Sequence, residues 1–313
     1  MLPAFEELQN AVKRVKPYVH KTPVMESRLM NEKTGSRVYF KCENFQRMGA
    51  FKMRGAINAI LQIPKEQRAK GVITHSSGNF AQALALAALS LDTKAYIIMP
   101  SSIPEVKLNA VKDYGAEVIM CDPNLDAREA MTEEILRKTG AFFIHPSNDM
   151  NVILGNATAA YEFIKEVEDL DVILTPVGGG GLVAGTAIAV HYMLPESETI
   201  GSEPFGADDA YLSMKIGKIQ PSVNPKTIAD GLRTQLGDKN FPIIRKYVSN
   251  IIRVEESEII AAMRYTWERM KLVIEPSSAV AVAALFRKPE RFAKRKVGII
   301  LSGGNVDLSN LPF

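Results

Sequence analysis

The first turn of a helix is a poor place for a positive charge, and residue 52 of this sequence is a lysine that the local pattern puts there. It lies in the run K-C-E-N-F-Q-R-M-G-A-F-K-M-R-G-A at 41–56. Upstream, R-V-Y-F-K-C at 37–42 carries the aromatic and β-branched residues of a strand; downstream, Ala56, Ile57, Ile60 and Leu61 recur at helical spacing. At a helix N-terminus the positive end of the dipole disfavours protonation and lowers the amine's pKa. A lysine so tuned is a nucleophile. A solvated surface lysine is the commonplace alternative, so the flanking motifs have to decide.

A second chemical feature is V-G-G-G-G-L-V-A-G at 177–185, between an apolar strand and a helix. Four consecutive glycines, Gly178, Gly179, Gly180 and Gly181, remove every side chain. Backbone N–H groups can then point into one concavity at a helix N-terminus, a cup for an anion such as phosphate. A tight turn alone needs one or two glycines. The same stretch has a rival reading, because Gly179, Gly181 and Ala184 fit G-x-G-x-x-A and Glu203 ends the following strand about twenty residues on, the pattern of an NAD-dependent dehydrogenase or another nucleotide-binding module.

Three further places offer polar groups. H-S-S-G-N-F-A-Q at 75–82 presents Ser76, Ser77 and Asn79 at another strand-to-helix turn, fit to hold a carboxylate or simply to cap the helix. Ser302 follows the strand K-V-G-I-I-L, where its hydroxyl can meet a ligand nitrogen or finish the strand. Glu203, Asp208 and Asp209 share the loop G-S-E-P-F-G-A-D-D, a spacing that suits a hard cation such as magnesium or an acidic surface loop. His145 and His191 read as packed or surface residues rather than ligands.

The elements that must position these groups are regular from residue 71. Strands at 71–76, 94–100, 116–121 and 141–146 alternate with helices at 76–90, 104–114 and 125–138. A second series has a helix at 155–167, a strand at 171–177, the glycine loop, a helix through His191 and a strand at 199–203. Residues 211–246, rich in Gly, Pro and Asn, read as a long surface excursion. Order returns with a strand at 251–254, helices at 256–271 and 277–286, and a strand at 296–301. Such alternation predicts an α/β fold with open, mostly parallel sheets and helices on both faces. No flexible linker marks a boundary; crossings between domains fall near 64–69 and 147–151.

Composition narrows the function classes. A chain of 313 residues, 46% apolar and 23% charged, is long enough for about two domains and is not disordered. Its net charge of +3, with no block of like charges, gives no sign of nucleic acid or an acidic membrane surface, and the basic run at 287–296 reads as a solvated helix end. The two cysteines, Cys42 and Cys121, each end an apolar run and suit buried free thiols in a reducing compartment. No signal peptide and no apolar run of membrane-spanning length is visible, so the expected location is cytoplasmic.

A nucleophilic lysine, a phosphate cup and a carboxylate-holding turn together describe pyridoxal 5'-phosphate chemistry on an amino acid. Over nearly its full length the sequence resembles the serine racemase and serine/threonine dehydratase family of fold type II pyridoxal phosphate enzymes, whose fold is like that of the tryptophan synthase β subunit. The matching runs are the one around Lys52, S-S-G-N-F-A-Q, G-G-G-G-L, the acidic loop from Glu203, T-I-A-D-G-L from Thr227, E-P-S-S-A from Glu275, and S-G-G-N. The resemblance implies that Lys52 is the Schiff-base lysine and takes the Cα proton, with Phe51 packing beside the cofactor and Asn79 bonding its ring hydroxyl. It further implies that Gly178 to Gly181 bind the phosphate and Ser302 faces the pyridine nitrogen. Ser76, Ser77 and Asn79 would hold the substrate carboxylate, with Ser77 the acid that racemisation needs on the opposite face. Glu203, the carbonyl of Ala207 and Asp209 match the family's site for Mg2+ or another divalent cation. Residues 1–69 and 148–313 would form a large domain and 70–147 a small mobile one, in a homodimer.

The activity so implied is that of a lyase, a dehydratase giving a 2-oxo acid and ammonia from serine or threonine, with racemase (isomerase) activity as a companion. Some positions depart from the family pattern: Phe80 for His, Ala50 for Ser, G-N-A-T at Gly155 for G-Q-G-T, and Ser147 for Asn or Tyr. They loosen the choice between serine and threonine. Arg128 matches an arginine that approaches a substrate's distal carboxylate, which brings in 3-hydroxyaspartate. A β-replacement enzyme of the cysteine synthase kind is a further alternative.

Overall fold

The computed structural model describes residues 2–103 and 105–313, so the expected helix start at Pro104 lies outside the described residues. Among them, the strands are β1 (Val24–Glu26), β2 (Arg37–Cys42), β3 (Val72–His75), β4 (Ala95–Pro100), β5 (Glu117–Cys121), β6 (Phe142–Phe143), β7 (Val172–Pro176), β8 (Glu198–Pro204), β9 (Asn250–Val254) and β10 (Lys296–Leu301). They form a six-stranded sheet of order β1-β2-β10-β7-β8-β9 and a four-stranded sheet of order β5-β4-β3-β6. Only the edge strand β1 is antiparallel. The central strands V-I-L-T-P and K-V-G-I-I-L are continuous apolar runs with almost no exposure, as parallel strands covered on both faces must be. All four strands of the smaller sheet lie between residues 72 and 143.

Two helices between the sheets set the position of Lys52. Helix Lys52–Leu61 packs Met53, Ala56, Ile57 and Ile60 against Phe80, Ala81 and Leu84 of helix Asn79–Leu89, which belongs to the small sheet. Its other side meets helix Met150–Glu166 so closely that a Cβ on Gly155 would lie 2.7 Å from the Gly55 Cα and run into the Arg54 carbonyl. Glycine at both positions is what lets the two backbones touch.

The structure departs from the sequence reading in four places. The fourth strand of the small sheet is only two residues long, because the His145 ring nitrogen Nδ1 accepts the N–H groups of Ser147 (3.2 Å) and Asn148 (2.9 Å) and turns the chain at Pro146. The next helix begins at Met150 instead of 155, capped by the Asp149 carboxylate, which accepts from the N–H groups of Asn151 and Val152. The excursion at 211–246 ends in helix Phe241–Tyr247, whose Phe241, Ile243 and Ile244 are buried; Pro242 sits in its first turn, where no donor is needed. The short edge strand β1 has no counterpart in the sequence pattern. Both cysteines are free and buried, and burial pushes the Cys42 thiol up to about 12. Among the described residues no helix is long and apolar enough to cross a membrane.

Candidate active site

The loops that carry the motifs all leave the C-terminal ends of parallel strands: β2 leads toward Lys52, β3 to Ser76, β6 to His145, β7 to Gly178 and β10 to Ser302. In open α/β sheets this is the edge where ligands bind. Lys52 is the first residue of its helix, and the Phe51 N–H before it donates to the Ser302 carbonyl at 3.0 Å. Its Nζ donates to the Pro146 carbonyl at 3.2 Å and lies 5.0 Å from the Phe51 ring and 5.7 Å from the Phe80 ring. Burial lowers the amine from 10.5 to about 8, against the pull of the nearby Glu275 carboxylate. Phe80, where the family pattern has His, thus forms part of an apolar wall beside the amine.

The four glycines form a cradle that side chains would fill. A Cβ on Gly178 would lie 2.8 Å from the Gly231 carbonyl oxygen and 2.9 Å from the Leu232 Cα, and one on Gly179 would run into the Ser147 hydroxyl. Gly180 has φ +81°, a left-handed conformation, and a Cβ there would lie 2.7 Å from Leu236. Asn240 braces the loop, its Nδ2 donating to the carbonyls of Gly179 (2.8 Å) and Ser147 (3.1 Å). Helix Gly181–Met193 begins at the last glycine, with no side-chain cap. Backbone N–H groups at a helix start, with no side chain over them, fit a phosphate.

The S-S-G-N turn does not cap its helix. The N-cap is Gly78 and no side-chain cap bond forms. Asn79 instead reaches across to the large sheet: its Nδ2 donates to both oxygens of Glu275 (3.0 Å each), and its Oδ1 accepts from Asn305 Nδ2 at 2.9 Å. Burial pushes Glu275 up to about 7, opposed by the Asn79 bonds. Ser302 is 3% exposed, one residue from Gly303, whose carbonyl accepts the Glu275 N–H at 3.0 Å. Ser76 accepts from the Gly78 N–H only at 3.4 Å, and Ser77 is partly exposed. Lys107 of the small sheet's helix Glu105–Lys112 forms an ion pair with Asp230 of the short 3-10 turn Asp230–Leu232.

His145 is not a remote packing residue. It lies beside His75 (ring centroids 6.0 Å apart), and burial lowers it to about 4, helped by the nearby His75 and Lys52 charges. His75 is itself lowered by burial and by the charge of Arg128. Arg128, partly buried, bonds only its own helix, Nε to the Asn124 carbonyl at 3.4 Å, and makes no ion pair among the described residues.

The acidic loop stands apart from these groups. Glu203 is fully buried and accepts the N–H groups of Ala210 (3.1 Å) and Tyr211 (2.8 Å); burial and the Asp209 charge raise its carboxyl well above the ordinary value. Asp209 is 4% exposed, both its oxygens lack a hydrogen-bond partner among the described residues, and burial raises it to about 6. Asp208 is spent on Arg253, 2.7 Å away. Among the described residues no group of three or more His, Cys, Asp or Glu side chains could hold a metal ion. The donors that the sequence reading named, Glu203, Asp209 and the Ala207 carbonyl, are all oxygens, the kind a hard cation takes, and the two unpartnered Asp209 oxygens are the ones free to accept it among the described residues. Glu203, committed to the helix at 209–216, is badly placed for the ribose contact that the dinucleotide reading requires.

Sequence reasoning met Glu275 and Asn305 only inside the runs E-P-S-S-A and S-G-G-N and gave them no role, passed over Asn240, and read His145 as a packed or surface residue. A Glu just before Pro276 reads as a helix start, and nothing local announces that Asn79 lies 196 residues away at its oxygens. The family model described as "Pyridoxal-phosphate dependent enzyme" matches residues 15–303. Serine racemase of Dictyostelium discoideum is 47% identical over 310 residues, covering 98% of this chain and 96% of the relative. Beta-hydroxyaspartate dehydratase of Paracoccus denitrificans is 42% identical over 312 residues, covering 100% and 99%. The crystal structure of a T.th. threonine deaminase superposes with a TM-score of 0.94 at 38% identity, covering 98% of this chain and all of that one.

Proposed function

The chain belongs to the pyridoxal-phosphate dependent enzymes, and on that premise we propose that it is a dehydratase of β-hydroxy amino acids, releasing a 2-oxo acid and ammonia, with racemisation of serine as a second outcome. The observation that carries this reading is Lys52, a lysine with its pKa lowered to about 8 at the strand edge that also presents the glycine cradle and the S-S-G-N turn. The fold is that of dehydratases and racemases alike, so the site chemistry has to distinguish them.

When bound, the cofactor supplies an electron sink that makes the substrate's Cα proton removable. The N–H groups of Gly178, Gly179, Gly180 and Gly181 would hold its phosphate, and Phe51, Asn79 and Ser302 would hold its ring. Ser76, Ser77 and Asn79 hold the substrate carboxylate. Lys52 anchors the cofactor and then takes the Cα proton on Nζ, a role that a pKa of about 8 allows near neutral pH. Ser77 delivers a proton to the opposite face when the outcome is racemisation. Glu203, the Ala207 carbonyl and Asp209 would hold Mg2+ or another divalent cation. The family resemblance supports a cytoplasmic homodimer in which residues 70–147 move against the rest.

A second reading, 3-hydroxyaspartate as substrate, is favoured by one observation. Arg128 directs its charge at His75, next to the S-S-G-N turn, and has no carboxylate of its own. A distal substrate carboxylate would supply one.

The test is an absorbance spectrum of the purified protein, borohydride reduction with peptide mapping, and an assay of L-serine, L-threonine and 3-hydroxyaspartate for 2-oxo acid and for D-enantiomer. A yellow protein whose reduced cofactor maps to Lys52, inactive as Lys52→Ala, is expected. A colourless protein, or an active Lys52→Ala variant, sinks the reading; product formation that requires added sulfide or thiol transfers it to a β-replacement enzyme.

A further inference from the structure

Two residues beyond Lys52, Arg54 is fully buried and has all three of its side-chain nitrogens engaged. Nε and Nη2 hold the two oxygens of Glu43 at 2.7 and 2.9 Å. Nη1 and Nη2 hold the two oxygens of Glu162 at 2.9 and 2.8 Å. Nη1 also reaches the Thr158 hydroxyl (3.2 Å) and Nη2 the His20 carbonyl (3.3 Å). One guanidinium therefore clamps two carboxylates, each by a two-pronged contact. Glu43, in the turn after β2, is buried completely; Arg54 keeps it below its ordinary range against the opposing effect of burial. Glu162, on helix Met150–Glu166, also pairs with the fully buried Lys41 at 3.1 Å. Lys41 also pairs with Glu166 at 3.2 Å, so two buried cations face three carboxylates, Glu166 lying toward solvent.

A buried ion cluster seldom stabilises a fold more than apolar side chains of the same size would, so its attested use is to fix one geometry over others. Here the geometry fixed is that of a single helical turn. Side chains two residues apart on a helix point about 200° apart, so Arg54 fastens the back of the turn whose front carries Lys52. The lysine's own amine has one hydrogen bond, to Pro146, and its lowered pKa depends on staying buried between Phe51 and Phe80, with Glu275 and His145 as the nearest titratable groups. A turn free to roll would carry the amine out of that environment.

We propose that Arg54 is the positioning residue for Lys52: forked between Glu43 and Glu162, it fixes the turn from which the lysine's amine acts. The proposal rests on Lys52 being the amine that carries the cofactor. Arg54→Lys keeps the cation but loses the fork. The double variant Glu43→Gln, Arg54→Met removes one buried cation with one buried anion and leaves Lys41 to Glu162 and Glu166, so the net charge of the cluster is unchanged. In each, the pH dependence of Lys52 acylation in the full-length chain stripped of cofactor, read by peptide mass mapping, reports the amine's environment. The steady-state constants of the loaded enzyme report its placement. Both variants are expected to move the Lys52 midpoint up from about 8 toward 10.5. Both are expected to lower kcat about 10- to 100-fold with KM changed less than about twofold, the pattern of a misplaced reacting group. A merely structural arginine would lower the melting temperature and leave both readouts in place. A folded Arg54→Lys with the midpoint still near 8 and kcat within about threefold of the parent overturns the proposal, whether or not the double variant folds. Borohydride mapping of the parent protein separates this from the underlying reading: a label away from Lys52 removes both, whereas a label on Lys52 with unaltered variants removes only the role of Arg54.

Discussion

Replacing Glu275 by glutamine is expected to flatten part of the pH dependence of this protein's stability. Glu275 is 5% exposed, and among the described residues it forms no ion pair. Its two oxygens share one neutral donor, the Asn79 amide. Burial is the dominant influence, with the Asp230 charge adding to it and the Asn79 bonds opposing it, and the carboxyl moves from its ordinary 4.5 to about 7. At roughly 1.4 kcal/mol per pH unit, that difference disfavours the ionised form in the folded state by about 3 kcal/mol. The folded protein holds this proton more tightly than the unfolded chain does. The stability contributed is therefore fully present below pH 4.5, is lost as pH rises through about 7, and is absent above it.

His145 at about 4, Asp209 at about 6 and Lys52 at about 8 titrate in neighbouring ranges, so the parent profile is a sum. The difference between parent and Glu275→Gln cancels His145 and Asp209 and leaves Glu275 together with the change in Lys52 that losing its charge brings. Urea unfolding of the full-length chain freed of cofactor, at half-unit steps from pH 4 to 8, is expected to show the variant gaining about 3 kcal/mol relative to the parent across that range. The loss of one of the two acceptor contacts to Asn79 adds an offset that does not depend on pH. A difference constant to within about 0.5 kcal/mol from pH 4 to 8 would refute the account of Glu275 as a carboxyl whose burial outweighs the Asn79 bonds and the Lys107 charge.

Gly180→Ala puts a Cβ at φ +81°, 2.7 Å from Leu236 and 2.9 Å from the Asn240 oxygen; the variant is expected to lose about 1–3 kcal/mol of stability and to hold the cofactor at least tenfold more weakly by absorbance after dialysis. Magnesium added at pH 7.5 is expected to raise the melting temperature saturably, by the equivalent of about 2.7 kcal/mol at a hundred times its Kd. The effect should shrink at pH 5.5, because Asp209 at about 6 and Glu203, which burial and the Asp209 charge raise well above its ordinary value, must ionise to bind, and vanish in Asp209→Asn. Arg128→Ala is expected to lower kcat/KM for 3-hydroxyaspartate by about 10- to 100-fold and for serine by less than about threefold, since only the former has a distal carboxylate to lose; equal losses on both substrates would remove Arg128 from substrate selection.

What the sequence shows of this fold follows from periodicity. The strands are uninterrupted apolar runs, the helices between them repeat at their own spacing, and glycine or serine marks the turns at the strand ends, so Lys52, the glycine loop and S-S-G-N can be placed on their elements directly. Contacts between those elements are another matter. Arg54 reads as one more arginine in a helix, and its partners lie 11 and 108 residues away. Helix Phe241–Tyr247 hides behind a proline that the first turn tolerates. His145 reads as a lone histidine because its role, accepting two backbone N–H groups and turning the chain toward Lys52, leaves no pattern.

The same distinction explains why Asn79 has two aspects. As a sequence feature it belongs to the turn that meets a substrate carboxylate; in the structure its amide is tied to Glu275 and Asn305 on the other sheet. Asn79 begins a helix of the small sheet, so those bonds also hold the two sheets together at the active edge, and the Lys107–Asp230 pair crosses the same seam. Any separation of the two sheets at this edge would break polar bonds whose strength depends on the charge of Glu275. Ionised, Glu275 is the better acceptor for Asn79 but the more costly group to keep buried; protonated, it is cheaper to bury and accepts less strongly. A carboxyl brought to about 7 stands between these states near neutral pH. The grip of the small sheet on the rest of the chain is thereby linked to a single proton on Glu275.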